Sequence, residues 1–269
     1  MKAARSFLLC ADDFALHPRV DEAVLQLAQA ARLSATSCMT TAPRWRSAAA
    51  LLAPLKGLVQ LGLHFNLTEG HGGALPAQRL GQVLARAYAG RLTQAQMRDA
   101  WRAQLDAFED ALGMRPDFID GHQHVHQLPG VRAALLAELG ARYRPGQRPW
   151  VRSTAPAGAL WREPKAAVIA LLGGWTGARA LRRAGVASNR GFGGVYGFDA
   201  PTPGAYGAHM RRWLAQLGEG DLLMCHPATG LVAGDAIAAQ RPVEFAYLMS
   251  DDFGALLERA GWRVWQAGA

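Results

Sequence analysis

Hydrophobic and polar positions follow two rhythms along this chain. Short apolar runs, which are typical of buried strands, occur at residues 7–11 and 221–225, and further strands are predicted at residues 35–39, 59–67, 118–121, 150–153 and 262–265. Between them, apolar residues recur at helical spacing, as at Val20, Val24 and Leu27 after Pro18. Further helices are predicted at residues 44–55, 93–113, 129–143, 165–184, 203–217 and 243–260. Strands that alternate with helices indicate parallel βαβ units.

The number of these units predicts the architecture. Seven or eight βαβ units in one chain favour a TIM-type (β/α) barrel, with an open doubly wound sheet as the main alternative. The 269 residues suit one large α/β domain or two small ones. No internal repeat, low-complexity tract or linker divides the chain. We therefore expect residues 1–269 to form a single α/β domain.

The arginine-rich composition gives a formal net charge of +8. Such a charge favours anionic partners, namely phosphate, nucleic acid or an anionic membrane surface. The arginines are scattered over predicted helices and mixed with acids, without a block of five or six like charges. We therefore expect no nucleic-acid partner. A non-catalytic protein that binds an anionic partner is the weakest of three functional hypotheses.

Cysteine usage and hydropathy indicate the compartment. Cys10, Cys38 and Cys225 lie in apolar runs without close pairs, which is typical of a reducing environment. The first apolar run is short and ends at Asp12, so it predicts neither a signal peptide nor an anchor. The apolar segment at residues 166–172 is too short to span a bilayer. These features predict a cytoplasmic protein with no integral membrane segment.

Acidic residues and histidines cluster directly after predicted strands, where α/β folds place their active sites. Asp12 and Asp13 follow the first strand. His64 lies near the end of the third strand, and His226 follows the apolar run that ends at Cys225. The two acids could instead stabilise the N-terminus of the next helix, but they lie several residues ahead of it. A barrel would bring all these segments to one rim.

Three histidines follow the fourth strand at alternate positions, namely His122, His124 and His126. Alternate residues of an extended chain share a face, so we expect the three imidazoles to point the same way. Histidines on one face near a carboxylate suit Zn²⁺ or a related divalent ion. We interpret them as ligands or catalytic groups, and expect that not all three bind one ion because catalysis needs an open coordination position.

Four motifs stand at these strand ends: Ala11-Asp-Asp-Phe14, Gly62-Leu-His-Phe-Asn-Leu-Thr68, Asp120-Gly-His-Gln-His-Val-His126 and Cys225-His-Pro227. Together they resemble the YdjC-like carbohydrate deacetylases, which include chitooligosaccharide and hopanoid-associated deacetylases. The motifs occur in the family's order and spacing across nearly the whole chain. One departure is Ala15, where the family commonly has glycine after Asp-Asp-Phe. The resemblance implies a distorted (β/α) barrel.

The resemblance also implies a role for each motif residue. Asp13, His64 and His122 would hold a divalent metal ion, Zn²⁺ or Mg²⁺. Asp12 would be the general base, and His226 a general acid. The implied reaction is metal-dependent removal of an N-acetyl group from an acetylated amino sugar, in an oligosaccharide or a lipid-linked glycan.

Four further residues are expected to contact the substrate. Arg152 resembles a family arginine near the substrate, and Phe14, His124 and His126 stand within the motifs. The glycine-rich segment at residues 191–197 is interpreted as a substrate-contacting loop, because it lacks the context of a nucleotide-binding loop.

Two expectations remain open beside this reading. Another metal-dependent hydrolase on the same barrel, either a phosphoesterase or a cyclic amidohydrolase, is the main alternative. Amidohydrolases usually carry His-x-His on the first strand, whereas this chain has Asp12 and Asp13 there and His-x-His after the fourth. Members of the resembled family often pair, so a homodimer is also expected.

Overall fold

The apolar runs form the strands of one parallel sheet, and the amphipathic segments form the helices around it. A computed structural model describes residues 4–70 and 78–267. Within these ranges the strands are β1 (Arg5–Phe14), β2 (Ala35–Cys38), β3 (Gln60–Phe65), β4 (Phe118–Gly121), β5 (Trp150–Val151), β6 (Phe192–Gly193), β7 (Leu222–Cys225) and β8 (Trp262–Val264). The α-helices are α1 (Pro18–Gln29), α2 (Trp45–Ala50), α3 (Leu80–Tyr88), α4 (Gln94–Leu112), α5 (Val131–Arg142), α6 (Pro164–Ile169), α7 (Trp175–Arg183), α8 (Pro203–Leu214), α9 (Gln240–Met249) and α10 (Asp251–Ala260).

The sheet curls into a distorted half-barrel. Its strand order is β5-β4-β3-β2-β1-β7-β6, and β8 pairs with the first residues of β1. Between β5 and β6 the described residues form no regular ladder. The two edges are joined there by an isolated bridge from Pro156 to Phe192 and by the Val151 N–H, which donates to the Ala187 carbonyl at 2.9 Å. The predicted single-domain α/β fold is confirmed in this form.

Local sequence signals set the helix ends. Helix α1 begins at Pro18, and the imidazole of His17 accepts a hydrogen bond from the Arg19 N–H at 3.2 Å. Helix α4 begins after Thr93, whose hydroxyl accepts from the Gln96 N–H at 3.3 Å. Gly113, at φ +65°, ends that helix in the left-handed conformation that glycine favours.

Two helical segments differ from the predicted pattern. The segment predicted as one helix at residues 243–260 is two helices, α9 and α10, which are separated by the extended residue Ser250. A serine followed by Asp251 and Asp252 is a helix-start signal, and here it outweighs the continuous apolar spacing. The helix predicted at residues 165–184, in which Gly173 and Gly174 form a weak point, is kinked between α6 and α7 at Leu172 and Gly173. Helix α3 was not predicted.

The core lies between the sheet and the helices. Phe65 of β3 stacks on Trp101 of α4 with ring centroids 3.6 Å apart. Cys10, Cys38 and Cys225 are buried and unpaired, as the apolar runs predicted. In the described ranges, no helix combines the length and the hydropathy that a bilayer crossing requires. The cytoplasmic location and the homodimer stay predictions. The glycines and the proline of residues 70–78 also predict a loop, of which residues 71–77 lie outside the described residues.

Candidate active site

The carboxyl ends of the strands surround a cavity of about 750 Å³. Its floor carries the acidic and imidazole side chains that follow β1, β3, β4 and β7, namely Asp12, Asp13, His64, His122 and His226. Its walls are largely apolar and come from the segments at 164–169, 195–198 and 232–237. The topology thus gathers the candidate residues from distant parts of the chain at one rim of the sheet, as expected for a parallel α/β fold.

The end of β1 turns through two residues with left-handed backbone. Asp13 has φ +70° and Ala15 has φ +76°, and neither is a glycine. The turn is held by the Ala15 N–H, which donates to Asp21 at 2.7 Å. Position 15 is where the resembled family commonly has glycine, and its backbone conformation explains that preference. The consequence for the site is that Asp12 and Asp13, although adjacent, reach different partners.

Asp13 lies between two imidazoles. Its Oδ1 atom is 3.2 Å from Nε2 of His64 and 2.9 Å from Nδ1 of His122. The three residues offer one ligand atom each within 4.8 Å of one another. Bonds of about 2.1 Å at tetrahedral angles place ligand atoms about 3.4 Å apart, so this spacing fits a divalent ion. One carboxylate and two imidazoles also leave coordination positions open.

A second carboxylate stands behind each imidazole. Nδ1 of His64 is 2.6 Å from Asp120, and Nε2 of His122 is 3.3 Å from Glu69. Because an ionised carboxylate only accepts hydrogen bonds, these contacts hold the ring protons and leave the opposite nitrogens directed at Asp13. Burial lowers the pKa of His64, but the charge and hydrogen bond of Asp120, the hydrogen bond of Asp13 and the charge of Asp12 together outweigh burial and raise that pKa to about 10. The arrangement of carboxylates, imidazoles and a central Asp13 is the one that metal-binding histidines use.

An arginine absent from the sequence-based expectations completes this side of the pocket. The guanidinium of Arg241, on α9, donates from Nη2 to Asp13 Oδ2 at 2.7 Å and from Nε to Asp235 at 2.5 Å. Burial would raise the pKa of Asp13, but the charges of His122 and Arg241 and the hydrogen bonds of His122 and His64 together outweigh burial and hold that pKa well below its usual value. Asp13 is therefore ionised, and its Oδ1 atom is left for the two imidazoles.

Asp12 is held by a different arginine. Arg152 donates to both oxygens of Asp12, from Nη1 at 2.7 Å and from Nη2 at 2.6 Å, and its Nη2 lies 2.6 Å from Asp120. Burial alone would raise the pKa of Asp12, but the charge and hydrogen bonds of Arg152, together with the charges of His64 and His226, outweigh burial and hold that pKa well below its usual value. Across the pocket floor, Nε2 of His226 lies 3.9 Å from Asp12 Oδ2.

Helix α9 also fixes His226. The His226 N–H donates to the buried carboxylate of Glu244 at 2.6 Å, and the Tyr196 hydroxyl donates to the same group at 2.5 Å. The ring of Phe198 packs edge-on against the imidazole of His226 at 5.3 Å. Arg241 and Glu244 were both missed by the sequence reasoning, because Arg241 lies before the predicted start of the helix at residue 243 and Glu244 was assigned no role within it. Their spacing of three residues places both on one face of α9, but that pattern does not show which site the face contacts.

The three histidines after β4 do not share a face, so that expectation was wrong. Residues 122–127 form a tight turn in which Gln123 and His124 have φ +51° and +60°. His122 points to Asp13, while His124 lines the pocket and packs edge-on against Phe192 at 5.5 Å. The ring of His126 lies beneath the pocket, with Nε2 3.0 Å from the backbone carbonyl of Arg152. Burial, assisted by the charge of Arg152, lowers the pKa of His124 to about 3.

Of the four residues expected to contact the substrate, His124 lines the cavity. The side chains of Phe14, His126 and Arg152 are buried below it, and each packs among protein groups. The glycine-rich segment at 191–197 reaches the cavity through Val195 and Tyr196. Sequence position therefore placed these residues near the site, while their side-chain directions depend on the turns between strands.

Known proteins of similar sequence carry related names. The chain is 35% identical over 153 residues to the human carbohydrate deacetylase, an alignment that covers 51% of this chain and 46% of that protein. It is 35% identical over 142 residues to the chitooligosaccharide deacetylase of Serratia marcescens, covering 50% and 56%. The chain thus spans about half the length of these relatives.

Solved structures of low sequence identity share the fold. A crystal structure from Enterococcus faecalis, provisionally named as a cellobiose-phosphate cleavage protein, superposes with a TM-score of 0.73 at 18% identity and covers 98% of this chain and 97% of that one. The Xyl-CE4 domain of a multidomain xylanase from a termite hindgut metagenome gives 0.51 at 9% identity, covering 97% and 87%. The family model described as YdjC-like protein matches residues 6–259. This chain therefore belongs to the YdjC-like family.

Proposed function

We propose that this protein is a metal-dependent hydrolase that removes the N-acetyl group from an acetylated amino sugar. The observation that carries the proposal is the convergence of Asp13, His64 and His122 beside the separate acid Asp12 on the floor of a deep pocket. The names of the carbohydrate and chitooligosaccharide deacetylases that the chain resembles support the substrate class.

Asp13, His64 and His122 would hold the divalent ion, Zn²⁺ or Mg²⁺. When bound there, such an ion supplies polarisation of the acetyl carbonyl and lowers the pKa of water. The contribution of the protein is to orient the three ligand side chains. Arg241 fixes one oxygen of Asp13, and Asp120 fixes the ring of His64, so the donor atoms are aimed before any ligand arrives.

Asp12 would accept the proton of the attacking water. Its carboxylate lies on the pocket floor next to Asp13, and the bidentate contact with Arg152 keeps it ionised at neutral pH. Proton transfer to a group in fixed position contributes about 10²- to 10⁴-fold to a hydrolytic rate. Arg152 acts through Asp12, and since its side chain is buried we assign it this positioning role rather than direct substrate contact.

His226 would donate a proton to the departing amine. The imidazole lies on the opposite side of Asp12, 3.9 Å away, and Glu244 holds its backbone. A sugar seated between Asp12 and His226 would contact the walls that carry Tyr196 and Phe198. The neutral ring of His124, also in the wall, would supply a hydrogen bond to a sugar hydroxyl.

A direct test measures acetate release. The purified chain is stripped with a chelator, reloaded with Zn²⁺ or Mg²⁺, and assayed on N-acetylglucosamine oligomers. We expect turnover to disappear on stripping, to return on reloading, and to be lost in Asp13→Asn. Asp110→Asn, an exposed residue on α4, is the matched control and should retain activity. Turnover without metal, or full activity in Asp13→Asn, would refute the proposal.

The assay also separates the alternative chemistries. Phosphate release from sugar phosphates, without acetate release, would assign a phosphoesterase to the same residues. Ring opening of a cyclic amide would assign an amidohydrolase. Both outcomes would overturn the deacetylase assignment while retaining the metal centre.

A further inference from the structure

Large apolar side chains are exposed in a row along α6 and α7. Trp161, in the turn before α6, is 48% exposed, Val168 is 52% exposed, Leu171 is 69% exposed and Trp175 is 47% exposed. Val168 is on α6, Leu171 follows it, and Trp175 begins α7 after the kink at Leu172 and Gly173. The opposite side of α7 is buried against the domain through Gly177, Ala178 and Leu181. We call the exposed side chains of residues 161–183 the α6–α7 face.

The segment that carries these apolar side chains is rich in cations. From residue 164 to residue 198 the sequence has no Asp or Glu. It has five cations, namely Lys165, Arg179, Arg182, Arg183 and Arg190. Arg179, Arg182 and Arg183 are exposed on α7 and follow Trp175 at helical spacing. Glu163, at the edge of the face, is ion-paired with Arg212 at 2.8 Å. Arg190 lies beside Gly220, before β7, so the α6–α7 face itself carries Lys165 and the three arginines of α7.

The α6–α7 face is continuous with the candidate active site. Pro164, Lys165, Val168 and Ile169 form one wall of the cavity. The opposite wall is the segment at residues 232–237, and next to it Leu231 is 61% exposed. Apolar side chains thus flank the cavity on two sides and continue onto the outer surface at α6.

We propose that the α6–α7 face docks on the surface of an anionic lipid bilayer, with the mouth of the pocket turned toward the lipid. Tryptophans and aliphatic side chains on one face, bordered by arginines and lysine, form the combination with which helices lie in a membrane interface. Cations near an anionic leaflet add to that binding. The arrangement requires no membrane-spanning helix.

The chemistry of the face disfavours two other occupants. A symmetric contact between two copies would set the same arginines against each other, and like charges oppose such an interface. Nucleic acid is bound through cations and stacked aromatic rings, which leaves Val168 and Leu171 without a partner. An anionic bilayer uses the cations, the tryptophans and the aliphatic side chains together.

The proposal deepens the proposed function in one respect, and this part rests on that function. An acetylated amino sugar attached to a lipid would be presented at the bilayer surface, directly at the wall formed by Lys165 and Val168. Docking itself is independent of turnover, so it can be tested without a substrate.

The test is flotation of the full chain with vesicles. Vesicles of phosphatidylcholine alone are compared with vesicles that contain 30 mol% phosphatidylglycerol, at about 0.1 M and at about 1 M salt. We expect binding to the anionic vesicles at the lower salt. Binding should be at least tenfold weaker at the higher salt, because the Debye length there is only about 3 Å. Absence of binding to anionic vesicles at the lower salt would overturn the proposal.

Two sets of variants locate the binding surface. Arg179→Gln, Arg182→Gln and Arg183→Gln combined should weaken binding about 100-fold, at roughly fivefold for each arginine. The matched control combines Arg46→Gln, Arg115→Gln and Arg259→Gln, which are exposed elsewhere and remove the same charge. Equal weakening by both sets would show general charge attraction and would overturn the assignment to this face.

Leu171→Asp tests the apolar contribution. We expect at least tenfold weaker vesicle binding. Leu51→Asp, at an exposed position directly after α2 and outside the α6–α7 face, should have no effect on vesicle binding. Both variants should release acetate from soluble oligomers at the unaltered rate, so a failed docking proposal is distinguishable from a failed deacetylase proposal. Loss of dimerisation in Leu171→Asp without vesicle binding would assign the face to a second copy. RNA binding that depends on the arginines, without vesicle binding, would assign it to nucleic acid.

Discussion

Two neighbouring carboxylates divide the pocket floor into halves with different partners. The Asp13 side contains one carboxylate, two imidazoles and one arginine, namely Asp13, His64, His122 and Arg241. The Asp12 side contains Asp12, Arg152 and His226. Each carboxylate contacts an arginine, but Arg152 engages both oxygens of Asp12, whereas Arg241 engages a single oxygen of Asp13. Asp13 therefore has one carboxylate oxygen that is not bonded to its arginine, whereas both oxygens of Asp12 are bonded to Arg152.

This difference separates binding from proton transfer. Asp13 keeps Oδ1 directed at two nitrogens, which is the geometry of a cation ligand. Asp12 has no imidazole nitrogen closer than the 3.9 Å of His226 among the described residues, and its ionised state is enforced by Arg152. The two adjacent aspartates thus have different roles in the proposed reaction, because each contacts a different arginine. Arg152 follows β5, and Arg241 is on α9.

The largest expected effects on ion binding and turnover come from replacing each of the two aspartates by asparagine. Asp13→Asn should abolish binding of the divalent ion and reduce turnover by at least about 1,000-fold, because it removes the only carboxylate among the three proposed ligands. Asp12→Asn should retain the ion and still lose about 10²- to 10⁴-fold in turnover, because a proton acceptor is removed. Calorimetric titration with Zn²⁺ and acetate release measure the two quantities separately. Equal loss of ion binding in both variants would mean that Asp12 and Asp13 both bind the ion. The separation of ion binding from proton transfer would then be wrong.

The arginines provide the second comparison, in stability. Arg152→Met leaves Asp12 and Asp120 buried without a cation, and we expect a loss of about 3–5 kcal/mol in the free energy of unfolding. Arg241→Met should cost less, because Asp13 retains two imidazoles. Urea denaturation measures both. Arg212→Met, which removes an exposed pair with Glu163, is the control and should cost at most about 1 kcal/mol.

A result that ranks these variants otherwise would contradict the comparison. If Arg152→Met lowered the free energy of unfolding no more than Arg212→Met does, other groups would have to stabilise the buried charges of Asp12 and Asp120. The positioning role of Arg152 would then have no support.

The sequence predicted the strands and the residues at their ends well, for a physical reason. Apolar runs such as residues 7–11 require burial on both faces, and the observed β1 contains this run. Parallel strands then place Asp13, His64 and His122 at one edge whatever the details of the loops. The resemblance to the YdjC-like family added the roles, which rest on these positions.

Side-chain direction was less accessible, because it depends on backbone turns. The two left-handed residues at Gln123 and His124 replace the extended chain that would align the histidines, and nothing in their residue types requires φ above zero. Arg241 and Glu244 lie far along the chain from the strands they support. Their contacts follow from the packing of α9 against the pocket, which local sequence patterns do not encode.

Asp120 joins the two sides and gives the third prediction. It lies 2.6 Å from Nδ1 of His64 and 2.6 Å from Arg152. Asp120→Asn should weaken divalent-ion affinity about 10- to 100-fold, since the carboxylate behind a metal-binding imidazole orients the ring. Ser37→Ala removes the neutral hydroxyl 3.0 Å from the same Nδ1 atom and should change the affinity less than tenfold. Calorimetric titration compares the two, and a larger effect of Ser37→Ala would show that the charge of Asp120 is not the orienting feature.

The smallest expected effect concerns the turn that carries both acids. Ala15 adopts φ +76°, where a Cβ atom costs about 1–2 kcal/mol, whereas glycine loses roughly 0.5–1 kcal/mol through its greater freedom in the unfolded chain. Ala15→Gly should therefore stabilise the protein by about 0.5–1 kcal/mol in urea denaturation. Ala103→Gly, at an exposed position inside α4, should destabilise it by about 1 kcal/mol, because glycine there has only the entropic penalty. Destabilisation in both variants would show that the turn tolerates alanine without strain, and that Asp12 and Asp13 are separated by their arginines alone.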